Sequence, residues 1–371
     1  MWLYRYRPKH KSLIILILIL VTIMVVNSEA NEGYYEGIRV PAEWEPQEAI
    51  WMQWPGYWEK DFEDSFVQIA HIISRHEKLH ILYRSDQIYL DAQKAIMKMQ
   101  GDPQSKNIRW HKLPYDNAWM RDNGPIYVLH GNELRIQNWD FNAWGGAFGL
   151  NIPFKLDDKV PIEIGKILDI PVDKIDMVHE RGNLEFNGSD TVLLNWSTIS
   201  DPKRNLNYDK GQVERDLRKY FGVSRVIFIE GIPDGDLTKG HIDGIARFIN
   251  STTVVIIQCT DHSLCEIDGK DAKIYDSAAE IIEEAGFNVI REPIEGFVEH
   301  NNKLFDANYI NWLVGNGFVI APSFGNSEMD TKAKARIETY FPNRKVYMIE
   351  MLNSWAAGGG IHCHTNDQPA I

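Results

Sequence analysis

Residues 108–114 read IRWHKLP, and a segment of the same make returns four times: DKIDMVH at 173–179, SRVIFIE at 224–230, FNVIREP at 287–293 and RKVYMIE at 344–350. Each is short, rich in β-branched or aromatic residues and bounded by polar ones, which predicts a strand. Apolar residues at three- and four-residue spacing predict amphipathic helices at 61–76, 212–221, 277–285 and 331–340. Further strands are expected at 191–196, 253–258 and 317–321. The pattern is a weak internal repeat with uneven intervals of roughly sixty residues. Each unit holds about three strands and one helix, a ββαβ-like arrangement. So small a unit cannot bury both faces of its sheet alone, so the units must pack on one another. Five in a ring make a single α/β domain, and no Ser/Gly/Pro-rich linker or charge block divides residues 31–371.

In a ring of like units, like positions converge on the axis. The five recurring strands lead to YDNAWMRDNGP (115–125), HERGN (179–183), GHIDG (240–244), NYIN (308–311) and AAGGGIHCHT (356–365). Convergence would bring Asp122, Glu180, His241 with Asp243, Asn311 and Cys363 to one centre. Three successive glycines before the cysteine allow the backbone unusual conformations or a close approach. Taken alone, that stretch reads better as a structural turn beside a buried thiol.

A cysteine paired with a histidine suits nucleophilic catalysis, with thiolate attack and proton movement by imidazole. If Cys363 begins a strand, His362 and His364 point to the opposite face and are structural. His241 is better placed, and an extended 241–243 segment would put His241 and Asp243 on one face. Several carboxylates around a thiol oppose its ionisation unless the ligand brings positive charge. A guanidinium does so, and its fork of N–H donors pairs bidentately with carboxylates. Zinc is the competing use for His241, His362, Cys363 and His364. Three adjacent residues on a strand cannot all face one ion, and neither C-x-x-C nor H-E-x-x-H occurs, so no metal is expected. Neither phosphate-binding glycine motif is present.

Composition narrows the partners. The chain has 371 residues and a formal charge of −13, which opposes binding to nucleic acid and suits a cationic ligand. Arg5, Arg7, Lys9 and Lys11 precede an apolar run at 13–26, followed by Ser28-Glu29-Ala30. Residues 1–30 therefore read as a cleaved secretory signal, and the alternative is a single-pass N-terminal anchor. The apolar run falls short of the ~20 residues of a spanning helix. Three cysteines leave at least one outside any intrachain disulfide. Cys259 and Cys265 could bridge in an oxidising compartment, leaving Cys363.

PAEWEPQEAIWMQWP (41–55), AWMRDNGP, NWDFNAWGG, GHIDG, ANYIN followed by NGFVIAPSFG, and GGGIHC ending in QPAI resemble, in that order, the agmatine deiminases and Porphyromonas-type peptidylarginine deiminases of the guanidine-modifying pentein superfamily. The resemblance implies a five-bladed α/β propeller, with Cys363 as nucleophile and His241 as general acid and base. It further implies that Asp122 and Asp243 bind the guanidinium, that Asn311 is an active-site asparagine and that Trp119 lines the channel. Glu180 and Gly360 are also expected against the substrate, and no cofactor is implied. Two departures stand out: Glu180-Arg181-Gly182-Asn183 replaces the family's frequent Glu-Gly-Gly, and His364-Thr365-Asn366-Asp367 replaces apolar-Thr-Gln-Gln. Residues 138–151 hold no Lys or Arg, which favours agmatine over a carboxylate-bearing arginine. Peptidylarginine, and a guanidine- or polyamine-binding module without turnover, remain the alternatives. A homo-oligomer is compatible with the sequence.

Overall fold

The computed structural model describes residues 37–149 and 151–371, so the signal expected at 1–30 lies outside the described residues. All five recurring segments are strands: Ile108–Lys112, Val172–Val178, Arg225–Ile229, Asn288–Pro293 and Lys345–Glu350. They pair in parallel with Lys78–Tyr83, Glu133–Asp140, Thr191–Asn195, Thr253–Gln258 and Phe318–Ser323, respectively. Parallel neighbours need a crossover. Helices Asp86–Lys98, Val160–Leu168, Lys210–Phe221, Lys270–Glu284 and Ser327–Tyr340 lie in the five crossovers.

In four sheets the middle strand has an antiparallel neighbour on its other side: Ile126–His130, Glu185–Phe186, Ala246–Asn250 or Leu313–Gly315. The remaining sheet differs. Gln47–Gln53 lies parallel to Lys78–Tyr83 across helix Glu63–His76, and the strand Thr365–Pro369 is antiparallel to Gln47–Gln53. The helix expected at 61–76 therefore feeds KLHILY at 78–83 rather than the strand at 108. Glu77 alone separates that helix from its strand, so no turn signal marks the change. The architecture is a mixed α/β fold, with a separate hairpin of Phe297–His300 and Lys303–Asp306.

The helices form and stop for local reasons. Asp209 accepts a hydrogen bond from the Gln212 amide at 3.0 Å and caps Lys210–Phe221. Val213, Leu217 and Phe221, four residues apart, are fully buried, each worth ~1.5–3 kcal/mol of transfer free energy. Gly222 ends the helix at φ +64°, where any side chain would collide with the Ile38 carbonyl. Asn326 likewise caps Ser327–Tyr340 through the Glu328 and Met329 amides. Cys259 and Cys265 form a disulfide, while Cys363 is free and buried. Among the described residues, no helix is long and apolar enough to cross a membrane.

Candidate active site

The converging residues sit on loops and single helical turns beyond the strands. Asp122 lies in the turn Met120–Asn123, Glu180 just before Arg181–Asn183, and Asp243 within Ile242–Gly244. The 241–243 segment is thus a tight turn, closed by the Gly244 amide on the His241 carbonyl at 3.3 Å, and not the extended piece expected. Cys363 occupies a helical turn, Ile361–His364, and the strand starts only at Thr365.

Cys363 Sγ lies 3.4 Å from Asn311 Nδ2 and 3.7 Å from Asp243 Oδ2. Burial pushes its thiol well up, and Asp243 and Asp122 push it further; the Gly360 amide and Asn311 pull the other way. His241 presents Nδ1 to Asp122 Oδ1 at 3.6 Å and Nε2 to Glu180 Oε2 at 3.4 Å. Burial disfavours its cation, but Asp122 and Glu180 prevail and hold the imidazole at about 9. At neutral pH His241 therefore carries a proton it can give. Burial raises Asp122 to about 6 against the pull of His241.

Glycines make these approaches possible. A Cβ on Gly359 would meet Trp119 at 2.6 Å and Cys363 Sγ at 2.9 Å, and one on Gly360 would meet Asn311 Oδ1 at 2.6 Å. Gly182 sits as closely between Asp122 and His241. The site opens on a cleft of about 600 Å³ whose wall includes His241, Asp243, Asn311, Gly359 and Cys363.

Glu180 does not face that cleft. It is wholly buried, and its oxygens accept from Arg204 Nε at 2.9 and 3.0 Å. Burial disfavours its charge, yet Arg204 and His241 hold it at about 2. Its reach is to His241. Trp119 is half-buried and stacks on the His364 ring with centroids 4.3 Å apart, while His364 bonds Ser354 and the Ala118 carbonyl.

His362 corrects a second expectation. Its Nδ1 meets Asp243 Oδ2 at 2.7 Å and its Nε2 meets Glu43 Oε2 at 3.1 Å. The histidine next to the cysteine is thus tied to the site, because a helical turn rotates neighbours by ~100° rather than reversing them. His241, His362, Cys363 and His364 have no common focus for one ion. The Glu43, Glu185 and His362 ligand atoms do cluster, but Arg247 pairs with both of those carboxylates.

Three other residues escaped the sequence reading. Trp144 Nε1 donates to Asp122 Oδ2 at 2.8 Å; its motif was visible but not its direction. Glu43 likewise lies within a quoted stretch, 41–55, without being singled out, and Arg204 carries no local signal at all. The two departures from the family pattern prove to be neighbours: Arg181 comes within 4.0 Å of Asp367, which also pairs with Arg121 at 2.6 Å. The added cation and the added anion offset one another behind the site.

The sequence pattern of the Porphyromonas-type peptidyl-arginine deiminase family matches residues 39–369. The chain belongs to that family. An agmatine deiminase of Pseudomonas savastanoi pv. phaseolicola is 31% identical over 369 residues, covering 90% of this chain and 96% of that one. The agmatine deiminase of Pseudomonas aeruginosa is 29% identical with the same coverage. Among solved family structures, that of the Enterococcus faecalis agmatine deiminase superposes with a TM-score of 0.76 at 27% identity, covering 90% of this chain and 96% of that one.

Proposed function

We propose that the protein is a hydrolase of linear amidines that converts agmatine to N-carbamoylputrescine and ammonia. The observation that carries this reading is that Cys363, His241 and Asp243 line one cleft, with the Asp122 carboxylate 3.6 Å from His241. The guanidinium pairs with the two carboxylates and supplies the positive charge the buried thiol lacks. Cys363 loses its proton to solvent through the cleft, and its sulfur attacks the central carbon, forming a tetrahedral adduct. His241 protonates one nitrogen, the C–N bond breaks and ammonia leaves a thiouronium ester. Water then attacks the same carbon and His241 accepts one of its protons; the C–S bond breaks as the carbonyl forms, and the remaining hydroxyl proton passes to the sulfur to return the thiol. Asn311 orients the sulfur, Trp119 walls the channel, Gly360 lets Asn311 approach, and Glu180 acts through His241.

Residues 31–371 form the catalytic domain in this reading, and the five sheets close as a five-bladed propeller. The disulfide supports export, since such bonds persist in oxidising compartments. Agmatine is preferred because residues 138–151 offer no cation to a substrate carboxylate. Ammonia release from agmatine, free arginine and a C-terminal arginyl peptide, measured side by side, tests the assignment. Agmatine is expected to be fastest; preference for the peptide would make this a peptidylarginine deiminase. Binding without release from any of the three would leave only a guanidine-binding module.

A further inference from the structure

Asp243 sits where a guanidinium would meet the sulfur, 3.7 Å from Cys363 Sγ, yet it is buried, and among the described residues no lysine or arginine forms an ion pair with it. What holds it is the imidazole of His362. On the far side of that ring, Glu43 Oε2 faces Nε2 and is itself bound by Arg247 at 2.6 Å, while Glu43 Oε1 takes the Val314 amide at 2.7 Å. Arg121 Nε donates to the His362 carbonyl at 3.2 Å and fixes the backbone. The His362 amide meets Asn311 Oδ1 at 3.1 Å, so the residue also braces the asparagine beside the sulfur.

Both contacts of the ring are with carboxylate oxygens. A bare imidazole nitrogen and a carboxylate would both be acceptors, so the 2.7 Å contact with Asp243 must hold a proton. Burial disfavours the Asp243 charge, but His362, His241 and Arg247 prevail and keep it a carboxylate, which puts that proton on Nδ1. We infer that His362 is a positioning residue: its Nδ1–H, locked by Glu43 and Arg247, aims Asp243 so that the carboxylate's other oxygen is free for the substrate's guanidinium. Resting on the proposed guanidinium binding, this assigns a function to the one histidine adjacent to the nucleophile that touches its carboxylate. His362 does not touch the reacting carbon.

The test compares alkylation of Cys363 by 2-chloroacetamidine, a cation shaped like the guanidinium end, with that by neutral 2-chloroacetamide. Neither requires turnover. The parent is expected to prefer the amidine strongly. In His362→Leu the ratio of the two rates should fall about tenfold or more, the worth of one charge-assisted contact. In His362→Asn, whose amide can still donate to Asp243, it should stay within about threefold of the parent. A purely structural role would slow both reagents alike and leave the ratio unchanged in His362→Leu, and that result overturns the inference, as does an equal fall in both variants. A parent with no preference for the amidine overturns the guanidinium reading itself. Should His362→Leu fail to fold, 15N-histidine spectra of the parent decide: Nδ1 of His362 must be protonated at neutral pH, and a bare Nδ1 overturns the inference.

Discussion

Replacing Gly182 by alanine adds one methyl group at the place where Asp122 and His241 face each other. A Cβ there would lie 2.6 Å from Asp122 Oδ1 and 2.7 Å from His241 Nδ1, where ordinary contact starts at 3.4 Å. The two partners must therefore retreat by about 0.8 and 0.7 Å in a close-packed interior. The backbone at Gly182 is not in the left-handed region, so alanine brings no conformational strain and the effect is steric. Overpacking of this kind costs ~1–3 kcal/mol of stability. Catalysis suffers more, because a misplacement approaching 1 Å can remove ~100-fold of rate, or about 2.7 kcal/mol of transition-state stabilisation. Steady-state ammonia release from agmatine, with a thermal melt in parallel, measures both. Gly211→Ala is the control, since it lies in the first turn of Lys210–Phe221 with only ordinary or near-ordinary neighbours; it should leave activity intact. If Gly182→Ala turns over within twofold of the parent, the tight Asp122–His241 pairing is not part of the catalytic machinery.

Other expectations follow from the same contacts. Cys363→Ala should release no ammonia yet still bind agmatine by calorimetry; residual turnover would displace the nucleophile. His241 is held at about 9 rather than 6.5, so its contribution to stability is complete below pH 6.5 and lost as pH rises through 9; the melting temperature of the parent should fall relative to His241→Gln across that window, and parallel curves would refute it. Arg204→Met leaves the wholly buried Glu180 carboxylate with His241 as its remaining cation and should cost ~3 kcal/mol, read from urea unfolding; a loss below 1 kcal/mol would contradict the pairing. Asp367→Gln leaves Arg121 and Arg181 without their shared anion, and adding Arg181→Gly should recover about 1 kcal/mol. Strict additivity would show that the two departures from the family pattern are independent.

The five recurring strands and three of their crossover helices were legible because each carries its own apolar period and polar boundaries; the crossover helices Asp86–Lys98 and Val160–Leu168 were not expected. Lys78–Tyr83 was not, since it follows a helix with a single residue between. The convergence of Asp122, His241, Asp243, Asn311 and Cys363 followed from treating the units as equivalent, and the glycines at 359 and 360 announced a close approach that the contacts bear out. The error lay in geometry. Assigning Cys363 to a strand turned His362 away, whereas the Thr365 hydroxyl closes a helical turn on the Ile361 carbonyl at 3.0 Å. Arg204 and Arg247 were invisible because buried ion pairs join residues far apart in sequence, with no local pattern to mark them, and Glu43 was one acid among several in the stretch 41–55.

The pairing of Thr365–Pro369 with Gln47–Gln53 bears on how activity appears in time. Trp51 bonds Gln368 across 317 positions and His362 meets Glu43 across 319, so the nucleophile is seated by contacts that must close very long loops. Local units such as Lys210–Phe221 with its two flanking strands can form first. During refolding, far-ultraviolet ellipticity should therefore recover ahead of amidine-selective reactivity at Cys363, and the thiol becomes a reporter of the final closing step.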